Sequence, residues 1–187
     1  KNYKLNNKNF YIINVDYVKK KEKIYLSECF KVAFKILKSR YTNKFINGPI
    51  NKSEFLNKKF LGITEYISKH FRVNNSAMLI YNKDLSVCPI TTHLPLKLVS
   101  SKINQKLILD KAMLIENFFK KNIGMKPKIA VTGLNPHCES ILKNNEDYQI
   151  ISPAIKKLRK KGLKIDGPYP ADTIFLKQNI KKYNVII

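Results

Sequence analysis

The sequence predicts an α/β layered fold. Three observations carry that reading. Short β-branched or aromatic runs alternate with longer stretches of helical apolar spacing. Gly and Pro close some of those runs, as Gly48-Pro49 and Gly162 do. The alternation persists along the chain, as strand–loop–helix units require.

In chain order, Phe10–Val15 is a β-branched and aromatic strand. Tyr25–Arg40 is a helix, with Leu26, Phe30, Phe34 and Leu37 close to helical spacing. The Lys-rich stretch from Lys19 to Lys23 is a solvated turn. Lys44–Asn47 is a short strand closed by Gly48-Pro49. Thr64–Phe71 is a helix, and Thr64 suits its N-cap because its hydroxyl can accept from a first-turn amide. Ala77–Tyr81 and Val87–Thr91 are strands around the polar turn Asn82-Lys83-Asp84. A long helix runs from about Asn104 to Lys121, with Leu107, Leu114 and Phe118 on one face. Lys128–Thr132 is a strand. Glu146–Lys161 is a helix ended by Gly162 and interrupted or kinked at Pro153. Tyr183–Ile187 is a strand, and its apolar end reads as cut in mid-course. With Lys rather than Met at position 1, the chain is expected to be a fragment at both ends.

Composition narrows the function classes. The 187 residues are 44% hydrophobic, enough for a core. No apolar run reaches the ~18 residues of a membrane span, and no secretion signal is evident. Cys29, Cys88 and Cys138 are odd in number and widely spaced, which suits reduced thiols in a cytoplasm. The net charge of +23 invites a nucleic-acid reading, but only Arg40, Arg72 and Arg159 of the 36 basic residues are Arg. Base-edge readout and bidentate phosphate clamps favour Arg, so a solvated lysine surface is the simpler account. That field can still draw in anionic substrates. Neither a dinucleotide-binding G-x-G-x-x-G nor a P-loop occurs.

Three strings place polar side chains after apolar runs: Thr91-Thr92-His93-Leu94-Pro95-Leu96, Gly133-Leu134-Asn135-Pro136-His137, and Gly167-Pro168-Tyr169-Pro170-Ala171-Asp172-Thr173. Ligands gather beyond the carboxyl ends of strands in open α/β sheets. Two neutral imidazoles there, His93 and His137, form part of a divalent-metal site; alternatively each merely caps a turn. Asn135 either orients His137 or faces substrate. Asp172 acts on protons or caps the following turn. Cys138 beside His137 suggests a nucleophile only weakly, because adjacent residues seldom face each other. His70 reads as a surface or packing residue.

Together and in this order, the three strings resemble the 4-hydroxythreonine-4-phosphate dehydrogenase family of vitamin B6 biosynthesis, from about Phe45 to Ile187 and more weakly upstream. Gly48-Pro49-Ile50-Asn51-Lys52 is similar to that family's Gly-Pro-x-x-Lys loop, and Gly62-Ile63-Thr64-Glu65 to its Gly-His-Thr-Glu motif. Ile63 departs from the usual His. Cys138-Glu139-Ser140 departs from the usual Ala-Gly-Glu-Gly-Gly.

The resemblance implies a two-lobed α/β/α dehydrogenase fold similar to isocitrate and isopropylmalate dehydrogenases, incomplete here. It implies a cytoplasmic homodimer using NAD and a divalent metal (Zn, Mg or Co). It would oxidise and decarboxylate 4-phosphohydroxy-L-threonine to 3-amino-2-oxopropyl phosphate. On this reading residues 1–187 are part of the catalytic region. His93 and His137 hold metal, with a third family His lying in a Tyr-His-Asp segment beyond a strand like Tyr183–Ile187. Lys52 and Asp172 serve catalysis, Thr64 and Asn135 bind substrate, and the chain alone is expected to be inactive. Competing expectations are a related dehydrogenase for another phosphorylated or carboxylated hydroxy acid, a metal-dependent hydrolase, and, remotely, a basic nucleic-acid-binding module.

Overall fold

A computed structural model describes residues 6, 8–57, 59–138 and 144–187. The chain divides into two compact units, Lys1–Tyr66 and Ile67–Ile187.

The first unit is organised by aromatic packing. Helix α1 (Glu22–Lys38) buries Phe30 and Phe34. The Phe30 ring stacks on Phe55 at 5.1 Å and meets Tyr66 edge-on at 5.4 Å. Phe55 closes the short helix α2 (Lys52–Phe55). Two expected strands are absent: Phe10–Val15 and Lys44–Asn47 are irregular, with Phe10 93% and Ile46 94% exposed. β propensity supplies no ladder partner, and no described segment pairs with either stretch. Helix α3 (Ile63–His70) begins one residue before the expected start. Tyr66 N–H donates to the Gly62 carbonyl at 3.2 Å. Thr64 therefore lies inside the first turn and is not the N-cap, which requires a non-helical backbone.

The second unit is built on a four-stranded, wholly parallel sheet of order β1-β4-β2-β3. The strands are β1 (Ser86–Val87), β2 (Lys128–Thr132), β3 (Lys164–Tyr169) and β4 (Val185–Ile186). β4 enters last and pairs on both sides, placing Ile186 opposite Val87 and Ala130. The expected strands Ala77–Tyr81 and Val87–Thr91 contract to β1 and one antiparallel bridge, Ile80 to Val87. Pro89 ends the strand, having no N–H for a ladder. The turn between them is real: Asp84 N–H donates to Asn82 Oδ1 at 2.9 Å, and Ser86 Oγ donates to the Asn82 carbonyl at 3.1 Å.

Helices α4 (Leu96–Lys102) and α5 (Gln105–Phe118) connect β1 to β2. Asn104 caps α5, its Oδ1 accepting from Leu107 N–H at 2.9 Å. The buried row of α5 and its following turn is Ile108, Ala112, Ile115 and Phe119; Phe118 is 38% exposed. This row is rotated one position from the expected Leu107, Leu114 and Phe118. Both rows are apolar at helical spacing, so periodicity cannot choose between them. Packing over the sheet does, burying β-branched side chains and the small Ala112.

After β2, a wide helical turn at Asp147–Ile151 leads into α6 (Ser152–Lys160). Pro153 thus sits in the first turn of α6, where its missing N–H is tolerated. The Gln149 carbonyl four residues earlier accepts instead from Gln105 Nε2 at 3.3 Å. Gly162 follows the helix at φ 84°. Helices α5 and α6 cover one sheet face, packing Ile155 and Leu158 with Ile129, Val131, Ile165 and Val185. On the other face, Ala130 and Ile186 pack with Ile174 and with Ile180 of α7 (Lys177–Ile180). A parallel sheet needs both faces covered, which explains its continuous apolar runs.

Candidate functional site

Because all four strands run parallel, their carboxyl ends leave the sheet at one edge. From β1 the chain runs through Pro89 to Thr91-Thr92-His93; from β2 it enters Gly133–His137; from β3 it enters Pro170-Ala171-Asp172. A pocket of about 310 Å³ opens here, with Thr91, Thr132, Gly133, Leu134, Ala171 and Ile187 in its wall. The sheet order makes β2 and β3 neighbours, and their two loops meet.

The loop after β2 is fixed along its length. Gly133 N–H donates to the Tyr169 carbonyl at 3.0 Å, and Ala171 N–H donates to the Pro136 carbonyl at 2.8 Å. Asn135 Oδ1 accepts from His137 N–H at 3.1 Å, and the Asn135 carbonyl accepts from Cys138 N–H at 3.0 Å. These two bonds form an Asx-type turn within the loop. The His137 ring meets Asp172, with Nδ1 to Oδ2 at 3.1 Å. In the neutral tautomer with hydrogen on Nδ1, Asp172 accepts that hydrogen and Nε2 keeps its lone pair. Such a carboxylate-held imidazole suits a metal ligand or a base. Asp172 does not cap a helix, because no helix starts there. The Ile174 amide at that turn bonds the Pro170 carbonyl at 3.1 Å.

His93 lies on the same edge, exposed, at φ 57°. That left-handed backbone is uncommon for a residue with a side chain. Among the described residues no three His, Cys, Asp or Glu side chains gather to hold a metal. The donors are chemically suited to a divalent ion but form a partial set. Lys52 and Thr64 belong to the first unit, Lys52 exposed at the start of α2 and Thr64 exposed near the start of α3. His70 ends α3, exposed, with its ring against Phe71 at 5.2 Å. Glu139 and Ser140 lie outside the described residues.

The surroundings of Cys138 disfavour its thiolate on balance, although the Gly133 backbone favours it. Burial pushes its thiol above the ordinary range, and Asp147 and Asp172 push it the same way. Asp147 itself was not singled out from sequence. It lies in the turn before α6, only 8% exposed, and its Oδ1 accepts from Leu134 N–H at 2.7 Å. In the sequence it reads as an ordinary acidic residue in a first helical turn, so nothing there signals its reach to Leu134.

Comparison with known proteins agrees with this arrangement. The family model of the pyridoxal phosphate biosynthetic protein PdxA matches residues 2–187. The 4-hydroxythreonine-4-phosphate dehydrogenase of Neisseria meningitidis serogroup A is 42% identical over 130 residues, covering 68% of this chain and 40% of that protein. The enzyme of that name from Sulfurihydrogenibium sp. is 39% identical over 147 residues, covering 76% and 46%. Among solved structures, 4-hydroxythreonine-4-phosphate dehydrogenase from Klebsiella pneumoniae superposes with a TM-score of 0.76 at 29% identity, covering 88% of this chain and 51% of that one. The Burkholderia phymatum structure gives 0.70 at 27%, covering 88% and 50%. The chain spans about half the length of the relatives it matches, or somewhat less. The parallel sheet, the motif loops at its carboxyl edge and the match along residues 2–187 together place this chain in the PdxA family of pyridoxal phosphate biosynthetic proteins.

Proposed function

We propose that this chain is part of a dehydrogenase that oxidises and decarboxylates 4-phosphohydroxy-L-threonine to 3-amino-2-oxopropyl phosphate, with NAD as hydride acceptor. The observation that carries the reading is the His137–Asp172 pair at the carboxyl edge of the sheet, in a chain of this family. His93 and His137 would hold a divalent metal, which when bound supplies Lewis-acid polarisation of an alcohol or ketone oxygen. Asp172 holds the His137 proton at Nδ1 and so keeps Nε2 available. Asn135 fixes the backbone that carries the ring. Lys52 pairs with the substrate phosphate or carboxylate, and Thr64 donates a hydroxyl hydrogen bond to substrate. NAD, when bound, would supply the acceptor for the carbinol hydride; the hydroxyl proton would pass to base, and the 3-oxo acid would lose CO2 and take up a proton at the carbon it left. The protein acts as a cytoplasmic homodimer on a small phosphorylated substrate. Among the described residues no helix is long and apolar enough to cross a membrane.

The test is NADH and CO2 formation by the protein of the complete reading frame, with 4-phosphohydroxy-L-threonine, before and after chelation. Turnover that chelator abolishes and divalent metal restores supports the reading. Absence of NADH with metal present overturns it. A second reading, a related dehydrogenase for another hydroxy acid, is favoured by Ile63 in place of the family's His. Faster turnover of another phosphorylated or carboxylated hydroxy acid in the same assay selects it.

A further inference from the structure

We infer that Asp147 is a positioning residue that sets the loop carrying Asn135 and His137. This rests on the reading of the site given above. Besides the His137–Asp172 pair, backbone hydrogen bonds among the described residues tie the loop to its neighbours. Two come from the strand it already flanks: Gly133 N–H to the Tyr169 carbonyl, and Ala171 N–H to the Pro136 carbonyl. Another, Leu134 N–H to Asp147 Oδ1 at 2.7 Å, comes from the helical turn before α6. That turn is itself anchored, because Ser152 Oγ donates to the Asp147 carbonyl at 2.8 Å and Ile151 is buried in the core.

Asp147 is a carboxylate 8% exposed, which burial disfavours unless hydrogen bonds and geometry compensate. The fit beside it is tight. A Cβ on Gly133 would lie 2.8 Å from Asp147 Oδ2 and would collide with Cys138 Sγ. The absence of a side chain at 133 is what lets the carboxylate reach under the loop. Asp147 therefore transmits the position of the helical layer to the loop that carries His137, three residues beyond the bond at Leu134. It touches no substrate in this account.

The experiment compares wild type with Asp147→Ala and Asp147→Asn in the protein of the complete reading frame. Asparagine keeps an acceptor for Leu134 N–H; alanine does not. Asp147→Ser, too short to reach Leu134, replaces the alanine variant if that one melts early. The readouts are kcat and KM, the melting temperature, and hydrogen exchange at the Leu134 amide. The expected result is a kcat loss of about 100-fold in the variant without an acceptor, the cost of roughly 1 Å of misplacement. Its KM for NAD stays near the wild-type value, its Leu134 amide exchanges faster, and asparagine restores most of kcat and the protection. Unchanged kcat and Leu134 protection in the alanine or serine variant overturn the inference. So does an asparagine variant that keeps Leu134 protection yet loses kcat as fully as alanine. If the wild type oxidises no hydroxy acid, the proposed activity fails, and Leu134 exchange in the same proteins still decides whether Asp147 holds the loop.

Discussion

Replacing Asp172 by Asn removes one charge and almost no volume, so it separates what the pair gives the fold from what it gives the site. The His137 and Asp172 side chains are 69% and 42% exposed, at 3.1 Å. Even with His137 protonated, two unit charges at that distance in water attract by only about 1 kcal/mol. Solvent screening and side-chain ordering reduce the net worth of such exposed pairs to roughly 0.2–1 kcal/mol. Against a total stability of ~5–15 kcal/mol, this is a melting shift of a few degrees at most. Orientation is a different matter. A carboxylate that holds a metal-ligating imidazole through its second nitrogen is worth about 10–100-fold in metal affinity or activity. Asp172→Asn is therefore expected to melt within a few degrees of wild type while losing that factor. Calorimetric titration with Zn²⁺ or Co²⁺, a thermal melt and steady-state NADH formation measure the three quantities. Wild-type metal affinity and turnover in the variant would refute the orienting role. A large melting loss would refute the other half of the argument, making Asp172 a structural residue.

Other predictions follow from single features. Gly167 has φ 134°, and a Cβ there would strike the Val131 carbonyl of the neighbouring strand. Gly167→Ala should cost about 1–3 kcal/mol in backbone strain and about 1–3 kcal/mol in overpacking; urea unfolding within experimental error of wild type would contradict this. Lys52→Met should raise KM for the phosphorylated substrate and leave kcat nearly unchanged, which steady-state kinetics at varied substrate resolves. Burial raises the Cys88 and Cys138 thiols, so both should resist iodoacetamide at neutral pH and react faster as pH rises past the usual thiol range. The sign for stability follows. The unfolded thiols ionise first, so their contribution is intact below the unfolded pKa and is lost as pH climbs through the raised folded values. Rapid labelling of either thiol at pH 7, about 1.5 pH units below the ordinary thiol value, argues against their burial.

The α/β class, strand β2 at Lys128–Thr132 and the helix that carries Ile108 to Phe118 were legible in the sequence, because each combines period and punctuation within one short window. So was the place of His137, Asn135 and Asp172 just past strands, since each follows an apolar run and sits among Pro and Gly. Local pattern failed where pairing or packing decides. Phe10–Val15 has a strand's composition and no described partner. Thr64 has a cap's chemistry, but the helix starts at Ile63. Leu107 and Ile108 head two equally apolar rows, and only the sheet beneath chooses the second. The site divides in the same way. Sequence determined which side chains sit at the ends of strands. Only the order β1-β4-β2-β3, with β2 and β3 adjacent and parallel, decided that His137 meets Asp172 although 35 positions separate them (172 − 137). The hold of Asp147 on Leu134 was hidden for the same reason. A hydrogen bond between distant segments leaves no local period, and it exists only once the helical layer has packed on the sheet.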